Sequence, residues 1–189
     1  MDPKASKPRA KRDPEGRKRA IVEAAAALLL EEGSERVTHR RVAERAEVPL
    51  GSTTQYFADI HDLKRAGYEL ISQGVMESYR EYAEQMAAAH DDVEALARYT
   101  WGYLADETQV RADMALYMAA LKDPTLRELA QQGHRVFIDT LSKVLPESQT
   151  LALDAFIDGL IAQKCLYAME FDKAFLRKSI SALLSIDSQ

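Results

Sequence analysis

Apolar residues in this chain recur every three or four positions, and prolines fall only between the runs that carry that rhythm. Ile21, Ala24, Ala25, Leu28 and Leu29 follow the i, i+3, i+4, i+7, i+8 spacing of one helix face. A longer stripe begins near Ile60 with Leu63, Gly67, Leu70, Ile71, Gly74, Val75, Ser78, Tyr82 and Met86. Val93, Leu96, Ala97, Thr100, Trp101 and Leu104 form another, and Met114, Tyr117, Met118 and Leu121 a shorter one. Asp91 or Asp92 can cap the former. Asp123-Pro124 is a cap followed by a first-turn proline, leading into Leu126, Leu129, Ala130, Gly133, Phe137, Thr140, Leu141 and Val144. Residues 148–170 are apolar on more than one face, and 172–186 carry Phe175, Leu176, Ile180, Leu183 and Leu184. Pro49, Pro124 and Pro146 separate these segments, as the cost of a proline inside a helix requires. No segment alternates with period two. The pattern predicts an all-α chain of about nine helices.

Charge divides the chain. Its net charge is −5 over 189 residues, yet residues 1–20 carry eight Lys/Arg against three Asp/Glu. Residues 1–13 are polar and aperiodic and read as a disordered basic arm. A basic tip on an acidic body suits one end meeting a polyanion. The single cysteine, Cys165, excludes an internal disulfide framework. No apolar run reaches the roughly 18 residues of a membrane span, so a cytoplasmic protein with no membrane partner is expected.

The N-terminal third has the outline of a helix-turn-helix unit. The first helix is expected over 15–32, closed at Gly33. Thr38 can cap a helix over 39–46, with Val37 and Val42 spaced as a hydrophobic staple. A break at Glu47–Leu50 precedes a short helix over 51–57. Leu50, also a candidate contact, stands just before that last helix, whose first half carries Gly51, Ser52, Thr53, Thr54 and Gln55, small and polar enough to approach base edges in a major groove. Gln55 can pair with an adenine edge, and the Thr54 methyl can meet a thymine methyl. Thr38, His39, Arg40 and Tyr56, with Arg17 and Lys18 on the first helix, are candidates for the phosphate backbone. Read alone, the Ser/Thr run is equally a polar loop and Thr38 merely a cap.

The run Ile21…Ala24-Ala25…Leu28…Gly33…Val37-Thr38…Val42-Ala43…Ala46…Val48…Gly51-Ser52…Tyr56-Phe57…Leu63 resembles the DNA-binding part of TetR-family transcriptional regulators. Asp158-Gly159-Leu160 with Gln163 is a weaker likeness to the dimer-forming eighth helix of that family. Five positions depart from the pattern: Glu47 stands where the turn usually has Gly, Pro49 where the reading helix usually begins with Ser, Thr53-Thr54 where Leu-Tyr is common, and Ile60 where a phosphate-binding Lys is frequent. The resemblance implies a helix-turn-helix domain over 14–59 and a ligand-binding and dimerisation domain over 60–189. It implies a homodimer on double-stranded DNA at a palindromic operator, acting as a repressor released by an unknown small-molecule effector.

In the second part, Trp101, Tyr117, Met118, His134, Phe137 and Cys165 are the expected ligand-lining residues. Such stripes also serve as plain packed core. Ala155, Gly159 and Ala162, with Phe175 and Leu183, are the expected dimer interface. Neither the four histidines nor Cys165 stand at metal-ligand spacing, and no nucleophile–base pair or phosphate loop occurs. No enzyme, metal or cofactor is therefore expected. A helical small-molecule-binding protein that no longer binds DNA stays open as the alternative, favoured by Pro49 and Ile60.

Overall fold

The computed structural model describes residues 13–186. Among them are nine α-helices and no strand. The expected basic arm, Asp13 excepted, lies outside the described residues. The elements are α1 (Pro14–Glu32), a 3-10 turn (Ser34–Arg36), α2 (His39–Arg45), α3 (Leu50–Tyr56), α4 (Ile60–Ala88), α5 (Val93–Ala105), α6 (Glu107–Ala120), α7 (Pro124–Leu141), α8 (Glu147–Tyr167) and α9 (Lys173–Leu183).

Side-chain caps set most of the starts. Thr38 Oγ1 accepts the Arg41 N–H at 3.3 Å, and Asp13, Asp59, Asp92, Asp106, Asp123 and Asp172 do the same for α1, α4, α5, α6, α7 and α9. Each satisfies an amide that the first helical turn leaves without a partner. Asp92, not Asp91, caps α5. The two helices lacking such a cap, α3 and α8, follow Pro49 and Pro146. Gly33 closes α1 at φ 80°, a conformation side chains resist.

One hydrophobic core runs through the molecule, and α4 is its spine. Its 29 residues span about 43 Å at the helical rise. The first half packs on α1 and the rest on α6 and α7. At the crossing with α1, a Cβ on Gly67 would lie 2.8 Å from Leu29 Cδ1 and 3.2 Å from the Ala26 amide nitrogen. Only glycine lets the two backbones come this close. Helices α1–α3 form a head around Ile21, Leu28, Leu29, Val37, Val42 and Phe57, and α5–α9 gather with α4 into a body. Among the described residues no helix is long and apolar enough to cross a membrane.

One helix is rotated from its expected face, and a second keeps its face but turns one expected residue outward. On α6 the buried line is Val110, Asp113, Leu116 and Ala120, while Met118 and Leu121 are 52% and 70% exposed. The true stripe contains a carboxylate, so an apolar count phases the helix wrongly. On α5, Ala95, Leu96, Ala97, Thr100 and Leu104 face inward and Trp101 does not.

Candidate functional site

In the head, α2 and α3 meet through a turn closed by two hydrogen bonds. Val48 N–H reaches Ala43 O at 3.0 Å and Glu47 N–H reaches Glu44 O at 3.3 Å, the paired closure that ends a helix on a left-handed residue. That residue is Glu47, with φ 54°. Arg45 makes a two-pronged pair with Glu31, both distances 2.6 Å, and Arg41 pairs with Glu32 and donates to Arg36 O. These arginines clasp α2 to the end of α1.

The expected DNA-reading residues separate into two faces. Leu50, Gly51, Thr54 and Gln55 stand exposed on α3, Tyr56 is half-buried, and Arg17, Lys18, Thr38 and Arg40 are exposed around them. Arg40 is ion-paired with Glu44 at 3.0 Å. Ser52 and Thr53 correct the expectation: they are 6% and 0% exposed. The Thr53 hydroxyl donates to Leu50 O at 2.8 Å and lies 3.1 Å from His39 Nδ1. Thr53 and His39 thus bolt α3 onto α2, leaving Leu50, Gly51, Thr54 and Gln55 as the exposed strip of α3. A seven-residue helix packed on its neighbour has to bury one side.

The body holds an unusual interior. Tyr79, Tyr82, Tyr103 and Phe137 form an aromatic cluster with ring centroids 4.7–6.0 Å apart. Carboxylates adjoin it. Asp113, fully buried, accepts from Tyr103 Oη at 3.0 Å and Gln109 Nε2 at 2.9 Å. Asp158 Oδ1 accepts from Tyr117 Oη at 2.8 Å and Tyr79 Oη at 3.2 Å. Asp154 lies 3.0 Å from His134 Nδ1. Burial pushes the Asp113 carboxyl up to about 7, against the pull of its Tyr103 and Gln109 hydrogen bonds. Burial also lifts Asp154 to about 6, helped by the Asp158 charge and opposed by His134. Desolvation raises all four tyrosine hydroxyls at Tyr79, Tyr82, Tyr103 and Tyr117, so they stay protonated donors. Beside this centre is a cavity of only about 10 Å³, bounded by residues that include Tyr79, Tyr117, Gly133 and His134.

The six expected ligand-lining residues do not converge. Tyr117, His134 and Phe137 border the centre. Met118 and Cys165 line a separate cleft. Trp101 is 41% exposed on α5, with Lys173 Nζ of α9 4.4 Å from its ring centroid. The expected lining set omits Tyr79, Tyr103, Gln109, Asp113, Asp154 and Asp158. A signal was available: Asp113 occupies a core position between Val110 and Leu116, and Asp154 one between Leu153 and Ile157. Of the expected interface residues, Ala155 and Phe175 are exposed and Gly159, Ala162 and Leu183 half-buried.

A family model described as the tetracyclin repressor-like C-terminal domain matches residues 87–185. The chain belongs to the TetR family. Its helix-turn-helix head and helical body are those of a ligand-responsive transcriptional regulator, and the reading without DNA binding is not favoured. The HTH-type transcriptional regulator BetI of Burkholderia thailandensis is 28% identical over 175 residues, 85% of this chain and 88% of that one. Among solved structures, the multidrug binding protein EbrR complexed with ethidium is similar at 32% identity and a TM-score of 0.72, over 91% of this chain and 99% of EbrR. The regulator SCO7518 of Streptomyces coelicolor A3(2) is similar at 28% identity and a TM-score of 0.70, over 89% and 98% of the two chains.

Proposed function

We propose that this TetR regulator is a homodimeric repressor that holds a palindromic operator through two copies of α3 and releases it when a flat organic cation enters the body. The observation that carries the ligand class is the set of buried carboxylates among tyrosine rings. Among the described residues no Lys or Arg pairs with Asp113, Asp154 or Asp158. Buried carboxylates without a cation are costly, and tyrosine faces attract positive charge. A cationic aromatic ligand supplies what the interior lacks. EbrR complexes with ethidium, proflavin and malachite green support the same ligand class.

The resting centre has no room for such a molecule, so binding must part α6 and α7 from α4. A displaced α4 carries α1 with it through the tight Gly67 crossing, altering the spacing of the two heads. Only the difference in ligand affinity between the two arrangements shifts the equilibrium. Leu50, Gly51, Thr54 and Gln55 meet base edges, and Arg17, Lys18, Thr38, Arg40 and Tyr56 meet the backbone. Dimerisation through α8 and α9 is supported by exposed Leu151 and Ala155 on α8, exposed Phe175 on α9, and Gly159, where an added Cβ would meet nothing within 4 Å.

The test is fluorescence anisotropy on labelled DNA flanking the gene, with malachite green as the probe. Wild type should bind as a dimer and be released by micromolar dye. Asp113→Asn/Asp158→Asn should bind DNA equally but resist release, which also controls for dye acting on the DNA. Equal release of both proteins sinks the ligand assignment, and no DNA binding by either sinks the repressor reading.

A further inference from the structure

A second opening, far roomier than the space beside the aromatic centre, lies elsewhere in the molecule. A cleft of about 1100 Å³ lies between the end of α1, the start of α4, α6 and the end of α8, at the upper end of the range for small-molecule sites. Its lining runs along α6 from Glu107 to Ala119, so it is about 18 Å long by the helical rise. Leu29, Tyr68, Val110, Met114 and Leu126 contribute its apolar walls. All but the half-buried Met114 belong to the buried core.

Charge is distributed unevenly around the rim. At the end near the α6 start, Arg111 pairs with Glu107 at 3.7 Å and Lys164 with Glu170 at 2.9 Å. At the other end, Arg65 pairs with Asp123 at 3.5 Å. That pair ties the start of α4 to the start of α7 and brings Lys64 and Lys122, their sequence neighbours, to one end. Neither lysine pairs with a carboxylate among the described residues. Glu35 is the one lining carboxylate outside the three ion pairs. Glu35 stands near Tyr68, so the trough is charge-neutral at one end and keeps a net positive charge from Lys64 and Lys122 at the other.

We propose that this cleft binds an amphipathic monoanion, a fatty-acid-like carboxylate, with its head at Lys64 and Lys122 and its tail along Tyr68 and Met114 toward Cys165. The site is separate from the aromatic–acidic centre and opposite to it in charge preference. Met114 and Met118 give a trough that can adapt to chains of different length. Because α1 and the α4 start form one wall and α6 and α8 the other, an occupant bridges head and body. Its binding can bias their relative arrangement independently of the centre.

Titration of the full chain with cis-parinarate, whose emission rises in apolar surroundings, tests this directly. Saturable binding is expected, with dodecanoate displacing the probe and dodecyltrimethylammonium failing to. Lys64→Glu/Lys122→Glu should weaken parinarate about tenfold or more, as loss of charge-assisted hydrogen bonds does, with thermal unfolding confirming the fold. Asp113→Asn/Asp158→Asn should bind parinarate as wild type does. Three results overturn the proposal: no saturable binding, equal displacement by the cationic detergent, or an affinity lowered by the aspartate changes and untouched by the lysine changes. None depends on whether the protein binds DNA or malachite green.

Discussion

Head and body treat charge in opposite ways. In the head, Glu31, Glu32 and Glu44 sit at the surface, each beside an arginine, and the core around Ile21, Leu28, Leu29, Val42 and Phe57 buries no charged residue among those described. In the body, Asp113 and Asp154 are buried with tyrosine, glutamine and histidine partners. Surface pairs cost little and add little, so the head is held by packing and caps and keeps one shape. Buried carboxylates without a Lys or Arg partner carry an electrostatic strain that a change of protonation, or a bound cation, relieves. A regulator needs both: a rigid reader and a body whose free energy responds to what enters it.

The sharpest way to break this contrast is Asp113→Asn. Burial pushes the folded Asp113 carboxyl up to about 7, against about 3.9 for an unperturbed aspartate. A raised value means that folding favours the protonated acid. Its stabilising effect is complete below the unfolded value and drains away as pH rises from about 4 through 7. Wild type should therefore lose stability over that window, and Asp113→Asn should flatten the slope and gain roughly 2–4 kcal/mol at pH 8. Urea unfolding at pH 5 and pH 8 reads both numbers. Glu32 runs the other way, since its hydrogen bond from Arg41 lowers its titration, so Glu32→Gln should matter only above its unfolded value. A variant at Asp113 that is less stable than wild type at pH 8 would erase the distinction between the two regions.

Next in size is a division within the head itself. Thr54→Ala with Gln55→Ala should weaken the cognate operator by about 1–3 kcal/mol, measured by anisotropy, and leave the melting temperature unchanged. Thr53→Val, which keeps the side-chain shape, should do the reverse. It strips the bonds to Leu50 O and His39 and costs about 1 kcal/mol of stability, with base preference at each operator position preserved. If Thr53→Val altered base preference, the buried placement of that side chain would be wrong.

These residues show what sequence can and cannot carry. Thr38, Val37, Val42 and the Asp123-Pro124 pair were legible because a cap or a staple is a local arrangement, complete within a few residues. The inner face of α1 was legible because its core positions are all apolar. Thr53 was not: its neighbours Ser52 and Thr54 are chemically alike, and only the approach of α2 decides which hydroxyl turns inward. Asp113 and Asp154 were hidden for the opposite reason. Hydrophobic periodicity discards charged residues, so a core that contains carboxylates reads as a solvated face, and α6 is phased on Met118 and Leu121 instead. The aromatic–acidic centre unites α4, α5, α6, α7 and α8, a long-range arrangement that no single stripe encodes.

The smallest predicted effect tests whether the rigid head carries any strain of its own. Glu47 is one of two non-glycine residues with positive φ among those described, the other being Ala168. It occupies the left-handed position that the turn between α2 and α3 demands, with Val48 N–H bonded back to Ala43 O across it. A side chain there crowds its own backbone by about 1 kcal/mol or a little more, while glycine loses part of that gain to its freer unfolded chain. Glu47→Gly should therefore raise stability by about 0.5 kcal/mol, read as a small rise in urea midpoint with no change in m-value. The Glu47 side chain is exposed, so no packing is lost to confuse the result. Operator affinity should stay the same or rise slightly, because the turn geometry that aims α3 is already set by the two backbone hydrogen bonds. A fall in stability would mean that Glu47 earns its place through an interaction other than backbone conformation, and that the head, like the body, holds a charge for a purpose.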